Sequence, residues 1–332
     1  MKAFVIDRFG GPLHAAEMPM PQPGPGDVLV QVHAASLNPV DYKIRDGKLK
    51  AIIPYRLPLI LGNDLSGVVA AVGADVRQFV PGDEAYARAD KDRIGSLAEF
   101  IAVREDSVAP KPASLSMEEA AAVPLVALTA LQAFERAGLK AGQKVLIHAG
   151  SGGVGTVAIQ LAKHRGAYVA TTTSTSNVDW VRALGADRVI DYKTEDFATE
   201  LRAYDMVFDT LGGATTEASL AVLKPGGVLV SVSGPPDPAF AREWKLGWVK
   251  EQVMRLLSMR IRAAAKRHGV KYSFLFMSPS GAQLRELGSL IDAGVLRPVV
   301  DRVFPFGASG EALTYLEAGR AKGKVVVRLR DW

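Results

Sequence analysis

The run IHAGSGGVGTVAIQLAK (147–163) holds the residues whose spacing most directly implies chemistry. Gly150, Gly152 and Gly155 fit G-x-G-x-x-G, with Ser151, Gly153 and Val154 completing the turn. An apolar run precedes it, and Val154, Val157, Ala158, Leu161 and Ala162 after it share one helical face. In such a strand–turn–helix the first glycine permits the tight turn and the second admits a pyrophosphate to the backbone. The third lets the helix pack closely on the strand. Free N–H groups and the positive dipole end at the helix start favour the same anion. The turn reads as a dinucleotide site.

The choice of dinucleotide rests on the end of the next strand. An NAD site usually places a carboxylate there, about 20 residues on, against the ribose 2′-hydroxyl. This chain reads TTTSTSN (171–177), with no acid before Asp179. Hydroxyl and amide donors at Ser174, Thr175, Ser176 and Asn177 suit a 2′-phosphate, so NADP is the expected cofactor.

Other chemistries find little support. The chain has no cysteine, which excludes disulfides, thiolate zinc sites and cysteine nucleophiles. Its five histidines (14, 33, 148, 164 and 268) form no i, i+4 pair on a helix, so no metal site is predicted. The net charge of +5 would suit an anionic partner, but a phosphorylated cofactor satisfies the same hint. The positive charges are dispersed and carry no nucleic-acid recognition signature. No apolar run is long enough to span a bilayer and no signal-peptide core opens the chain. The default expectation is a cytoplasmic protein.

The elements that must position the turn fall into three zones. Residues 1–121 are rich in Gly, Pro and short β-type runs such as DVLVQVHAA and LSGVVAAVG. Residues 122–277 alternate continuous apolar strands with helical segments, the pattern of a parallel sheet covered on both faces. From 278 the first style returns and ends in GKVVVRL, so the C-terminus is expected to complete the N-terminal domain.

Several motifs together resemble the medium-chain dehydrogenase/reductase superfamily, in its zinc-free quinone oxidoreductase and enone/alkenal reductase branch. They are SLNPVDYKIRDG (36–47), LGNDLSGVVAAVG (61–73), FVPGDEAYA (79–87), GSLAEF (95–100), HAGSGGVGTVAIQLAK (148–163), LGADRVIDY (184–192) and EAGRAKGKVVV (317–327). The resemblance implies an α/β chain: a GroES-like β-rich catalytic domain from both chain ends, a Rossmann doubly wound domain between, and an active site in the cleft. Where zinc-dependent relatives carry a Gly-His-Glu ligand motif this chain has Gly62-Asn63-Asp64, and Asn38 replaces their first catalytic cysteine.

The same resemblance places Lys43 beside the cofactor and Tyr192 near the 2′-phosphate. Thr129, Ser233 and, more weakly, Lys324 are further cofactor candidates. The chemistry it implies is NADPH-dependent hydride transfer to a quinone or to the C=C bond of an enone or enal, without metal. The developing oxyanion then needs hydrogen-bond donors, for which Asn38, Tyr42 and Lys43 are the candidates. Alcohol dehydrogenase-type chemistry is the alternative enzyme reading. A nucleic-acid-binding, crystallin-like role is the alternative of another class.

Two surface features complete the reading. KYSFLFM (271–277) is an apolar edge strand that invites pairing into a homodimer, as the family implies. The basic run 240–269 carries Trp244, Trp248, Met254, Leu257 and Ile261 at near-helical steps. It is expected to be a covering helix whose apolar stripe packs on its own protein and walls the acceptor pocket. A basic amphipathic helix can instead lie on an anionic membrane.

Overall fold

The computed structural model describes residues 1–330, in two compact units: 1–128 with 278–330, and 129–277. The zone change at 121/122 precedes the first join because the helix Pro124–Ala137 straddles it. Pro124 also separates that helix from Met117–Ala121, since proline is accommodated at a first helical turn and not within a helix.

In the first unit the long strand Asp27–Leu37 is central. It pairs with Asp64–Val72, Phe100–Arg104 and Lys324–Arg328 in a seven-stranded sheet. The C-terminal strand is antiparallel to it, with Val325 opposite Leu37 and Val327 opposite Ala35. This register delivers Lys324 to the end of Asp27–Leu37, beside the helix Pro39–Arg45. That helix starts where Asn-Pro-Val-Asp specifies it: Pro39 fixes the first turn, and the Asn38 N–H donates to Asp41 Oδ2 at 2.7 Å.

The second unit is a six-stranded parallel sheet. In chain order its strands are Lys144–Ile147, Tyr168–Thr173, Arg188–Asp191, Tyr204–Asp209, Leu223–Ser231 and Lys271–Phe274. In space they run third, second, first, fourth, fifth, sixth. This doubly wound order reverses direction between the first and fourth strands, and ligands in such sheets bind outside the carboxyl ends at that switch point. The G-x-G-x-x-G turn leaves the first strand there and opens the helix Gly153–His164.

The basic run departs from the sequence expectation. It divides into helices Pro238–Glu243, Trp248–Leu257 and Met259–Arg267. Lys245 and Gly247 break the first from the second with φ of 51° and 87°. Of the predicted stripe, Met254 and Ile261 are buried, while Trp248 and Leu257 are 73% and 59% exposed. Trp244 packs inward on Phe240 and Phe276, with ring centroids 5.0 and 4.7 Å away.

Candidate functional site

The glycine turn has the shape of a phosphate cradle. A Cβ on Gly150 would strike the Thr171 side chain, and one on Gly155 would strike the Ala149 carbonyl, so protein packing demands both glycines. A Cβ on Gly152 would meet only the Ala149 oxygen, at an ordinary 3.4 Å. Packing does not require that glycine, and close approach of a ligand does. Ala149 adopts φ of 54°, an unusual conformation for a side-chain-bearing residue and one that stores strain at this turn. Thr173, at the carboxyl end of the second strand, is buried with its Oγ1 unpartnered. An orphaned hydroxyl beside an open glycine turn fits a bound dinucleotide.

Partners fix the loops around the crevice. Asp209 ends the fourth strand, fully buried, and accepts from the Leu211 and Gly212 N–H groups at 3.0 and 2.9 Å. Its other oxygen accepts from Thr216 Oγ1 at 2.6 Å and Ser231 Oγ at 2.8 Å. Ser233 donates its hydroxyl to the Thr210 carbonyl at 2.9 Å, which ties two strand-end loops together. Sequence reading missed Asp209; its only signal was an acid closing an apolar strand.

His148, at the head of the turn, is fully buried. Ser219 Oγ donates to the Thr215 carbonyl at 2.6 Å, so Nε2 of His148 is the donor in its 2.8 Å bond to Ser219. Nδ1 then accepts from Thr172 Oγ1 at 3.2 Å. Burial pushes the imidazole pKa down to about 4, partly countered by Asp209. It is a neutral structural group.

At the ribose end, Ser174 to Asn177 form a short 3-10 turn. The Asn177 amide is committed: Nδ2 donates to Ser174 Oγ at 3.0 Å and Oδ1 accepts from Trp180 Nε1 at 3.0 Å. Thr175 gives its hydroxyl to Asp191, chiefly holding that carboxyl below its usual range. Ser176 and Tyr192 are exposed. Sequence reading counted no acid in its own loop and overlooked one arriving from the adjacent strand, where Asp191 pairs with Thr173. It also overlooked Lys193, exposed one residue beyond Tyr192. Thr129 opens the second unit, buried in the helix Pro124–Ala137.

In the other unit, two of the candidates are not presented to a ligand. Lys324 is 4% exposed, and its Nζ donates to the Leu37 carbonyl at 3.0 Å, Asn38 Oδ1 at 2.5 Å and Asp64 Oδ2 at 3.3 Å. The Asn38 amide donates to Asp64 Oδ2 at 2.8 Å, so both of its ends are spent. Asn38, expected as an oxyanion donor, and Lys324, expected as a cofactor ligand, are instead found tied into a buried network. The reason is the strand register, which sequence spacing cannot reveal.

The network continues through Asp64 and Asp41. Asp64 also accepts from Ser36 Oγ at 3.1 Å and the Leu125 N–H at 2.8 Å. Asp41 accepts from Asn63 Nδ2 at 2.7 Å, and burial pushes its pKa up to about 6. Arg88, also buried, donates to the Ala89 carbonyl at 2.6 Å. Burial pulls Lys324 below its usual range, against Asp64 and Asp41. Two cations thus face two carboxyl groups.

Tyr42 and Lys43 lie on the same short helix and are only half-buried. Burial, then repulsion from Lys48, lowers the Lys43 pKa. The Lys43 side chain has no hydrogen-bond or ion-pair partner among the described residues, whereas the Lys48 side chain pairs with Asp46 at 3.3 Å. A desolvated ammonium without a partner is a donor ready for an oxygen.

A GroES-like sheet built from both chain ends and a doubly wound dinucleotide fold place the chain in the medium-chain dehydrogenase/reductase family of oxidoreductases, to which it belongs. Residues 24–113 match the alcohol dehydrogenase GroES-like domain and residues 184–327 match the family described as zinc-binding dehydrogenase. Similar proteins narrow the branch. The chain is 37% identical to "NAD(P)H oxidoreductase RTN4IP1, mitochondrial" of Danio rerio, over 100% of this chain and 92% of that one. It is 36% identical to "NADPH-dependent alkenal/one oxidoreductase, chloroplastic" of Arabidopsis thaliana, over 98% and 79% of the two chains. The solved quinone oxidoreductase of Coxiella burnetii superposes with a TM-score of 0.85 at 36% identity, covering 99% of each chain.

Zinc does not fit the corresponding positions here. Asn38 and Asn63 offer amides, which are weak zinc donors, and the one carboxylate, Asp64, is already paired with the Lys324 ammonium.

Proposed function

We propose that this protein transfers hydride from NADPH to a quinone or to the C=C bond of an α,β-unsaturated carbonyl, without metal. The observation that carries the reading is the Lys324–Asn38–Asp64 network, a protein cation held by the residues that take the place of zinc ligands. Alcohol oxidation in this family draws on a Lewis acid, whereas quinones and conjugated alkenes are electrophilic enough to accept hydride without one. The relatives named as alkenal/one and quinone oxidoreductases support the same acceptors.

When bound, the cofactor supplies the hydride. The backbone of the turn around Gly152 would hold its pyrophosphate, with Gly150 and Gly155 shaping that turn, and Ser174, Ser176, Tyr192 and Lys193 would hold the 2′-phosphate. Lys193 offsets the Asp191 carboxylate, and a solved mycobacterial relative complexed with NADPH supports the phosphorylated cofactor. As hydride reaches the β-carbon of an enone, the alkene π pair becomes the bond between the α-carbon and the carbonyl carbon and the carbonyl π pair moves to oxygen, where Lys43 and Tyr42 donate hydrogen bonds. Water supplies the proton to the adjacent carbon. Product analysis tests this: NADPH and an enone should give the saturated carbonyl. An allylic alcohol as the product would contradict it. The functional unit in this reading is a homodimer joined through the free edge of Lys271–Phe274.

A further inference from the structure

The helix Trp248–Leu257 is turned inside out relative to an ordinary covering helix. Six of the thirteen exposed large apolar side chains among the described residues fall between Trp248 and Met259. At about 3.6 residues per turn, Trp248, Val249, Val253, Leu256 and Leu257 occupy one half of the circumference. Met254 is the side chain that anchors the helix from the other half. Lys250 borders the apolar half on one side and Arg255 on the other.

Charge completes the pattern. The next helix, Met259–Arg267, exposes Arg260, Lys266 and Arg267 and buries Ile261 and Ala265. Between residues 248 and 267 there are six cations and a single acid, Glu251, which is taken by Arg242 and Arg255. Lys250, Lys266 and Arg267 have no ion-pair partner among the described residues. A second copy seated here across a two-fold axis would set like charges against one another. An anionic lipid surface matches both parts: the apolar half enters the acyl boundary and the flanking cations meet the headgroups.

We propose that the helices Trp248–Leu257 and Met259–Arg267 dock this protein on the surface of a membrane rich in anionic lipid. Among the described residues no helix is long and apolar enough to cross a membrane, so the contact is interfacial. This goes beyond the proposed reaction and does not depend on it. The test is co-sedimentation of the full chain with vesicles of phosphatidylcholine alone and of phosphatidylcholine with phosphatidylglycerol.

Binding should appear with the anionic vesicles, weaken with added salt, and shift the fluorescence of Trp248 to the blue. Two triple variants, Trp248→Ser/Leu256→Ser/Leu257→Ser and Lys250→Glu/Lys266→Glu/Arg267→Glu, should each lower binding at least about tenfold. Their unchanged melting temperature would show intact folding. Three results would each overturn the proposal. One is absence of binding to anionic vesicles. Another is variants that bind as the parent does but have half its mass in solution, which makes the face a contact between copies. The third is variants that keep vesicle binding and lose turnover of a soluble acceptor, which makes it a pocket wall.

Discussion

Lys324 and Asp64 form an ion pair at 3.3 Å in which neither side chain is more than 4% exposed. Burying two charges is costly, and the surrounding hydrogen bonds from Ser36, Asn38 and the Leu125 N–H offset part of that cost. Removing one partner leaves the other uncompensated. Lys324→Met should therefore destabilise the protein by about 3–5 kcal/mol in urea unfolding, and adding Asp64→Asn should recover a large part of it. An unaltered midpoint for the single variant would show that the pair is not what organises this site.

Asp41 and His148 give stability opposite pH dependences over one window. The Asp41 pKa, raised from 3.8 to about 6, favours the protonated carboxyl in the fold; this contribution is full below 3.8 and is lost as pH rises through 6. The His148 pKa, lowered from 6.5 to about 4, favours the neutral ring; this contribution is full above 6.5 and is lost as pH falls towards 4. Asp41→Asn should fold, because Asn63 can turn its unpartnered Oδ1 toward the new amide. Relative to the parent, that variant should lose about 2 kcal/mol between pH 7 and pH 4. Parallel stability curves for the two proteins would refute the Asp41 assignment.

Lys43 should matter more than Lys48, which already has Asp46 as its partner. Loss of an oxyanion donor costs on the order of a hundredfold in rate. Lys43→Ala should lower kcat/KM by at least about tenfold with an unchanged melting temperature, and Lys48→Ala should do little. Matching kinetics for the two variants would remove Lys43 from the mechanism.

Cofactor choice should respond to single charges at the ribose end. Ser174→Asp places a carboxylate against the 2′-phosphate and should reverse or erase the preference for NADPH over NADH. Lys193→Ala should weaken NADPH binding and leave NADH binding nearly unchanged. The parent protein should discriminate in favour of NADPH; equal kcat/KM with both cofactors would defeat the assignment.

The legible parts of this chain were those written in local pattern. The glycine turn, the strand before it and the helix after it are specified by adjacent residues, and the structure gives Lys144–Ile147 and Gly153–His164. Spacing could not show what pairing across distant strands decides. Asn38 and Lys324 are 286 positions apart and meet only because Val325 lies opposite Leu37. Asp191 reaches the ribose loop through its pairing with Thr173 for the same reason. For Trp248–Leu257 the expected inward stripe fails at Trp248 and Leu257, because a helical stripe has the same period whether it faces the core or the solvent.

The central claim is tested most directly by a rate panel in metal-depleted buffer with a strong chelator, following NADPH absorbance with a naphthoquinone, an enone, an enal and a simple aldehyde. The account predicts turnover of at least one of the quinone, enone or enal, undiminished by the chelator, and little with the aldehyde. Activity confined to the aldehyde or its alcohol, abolished by chelation and restored by zinc, would contradict it.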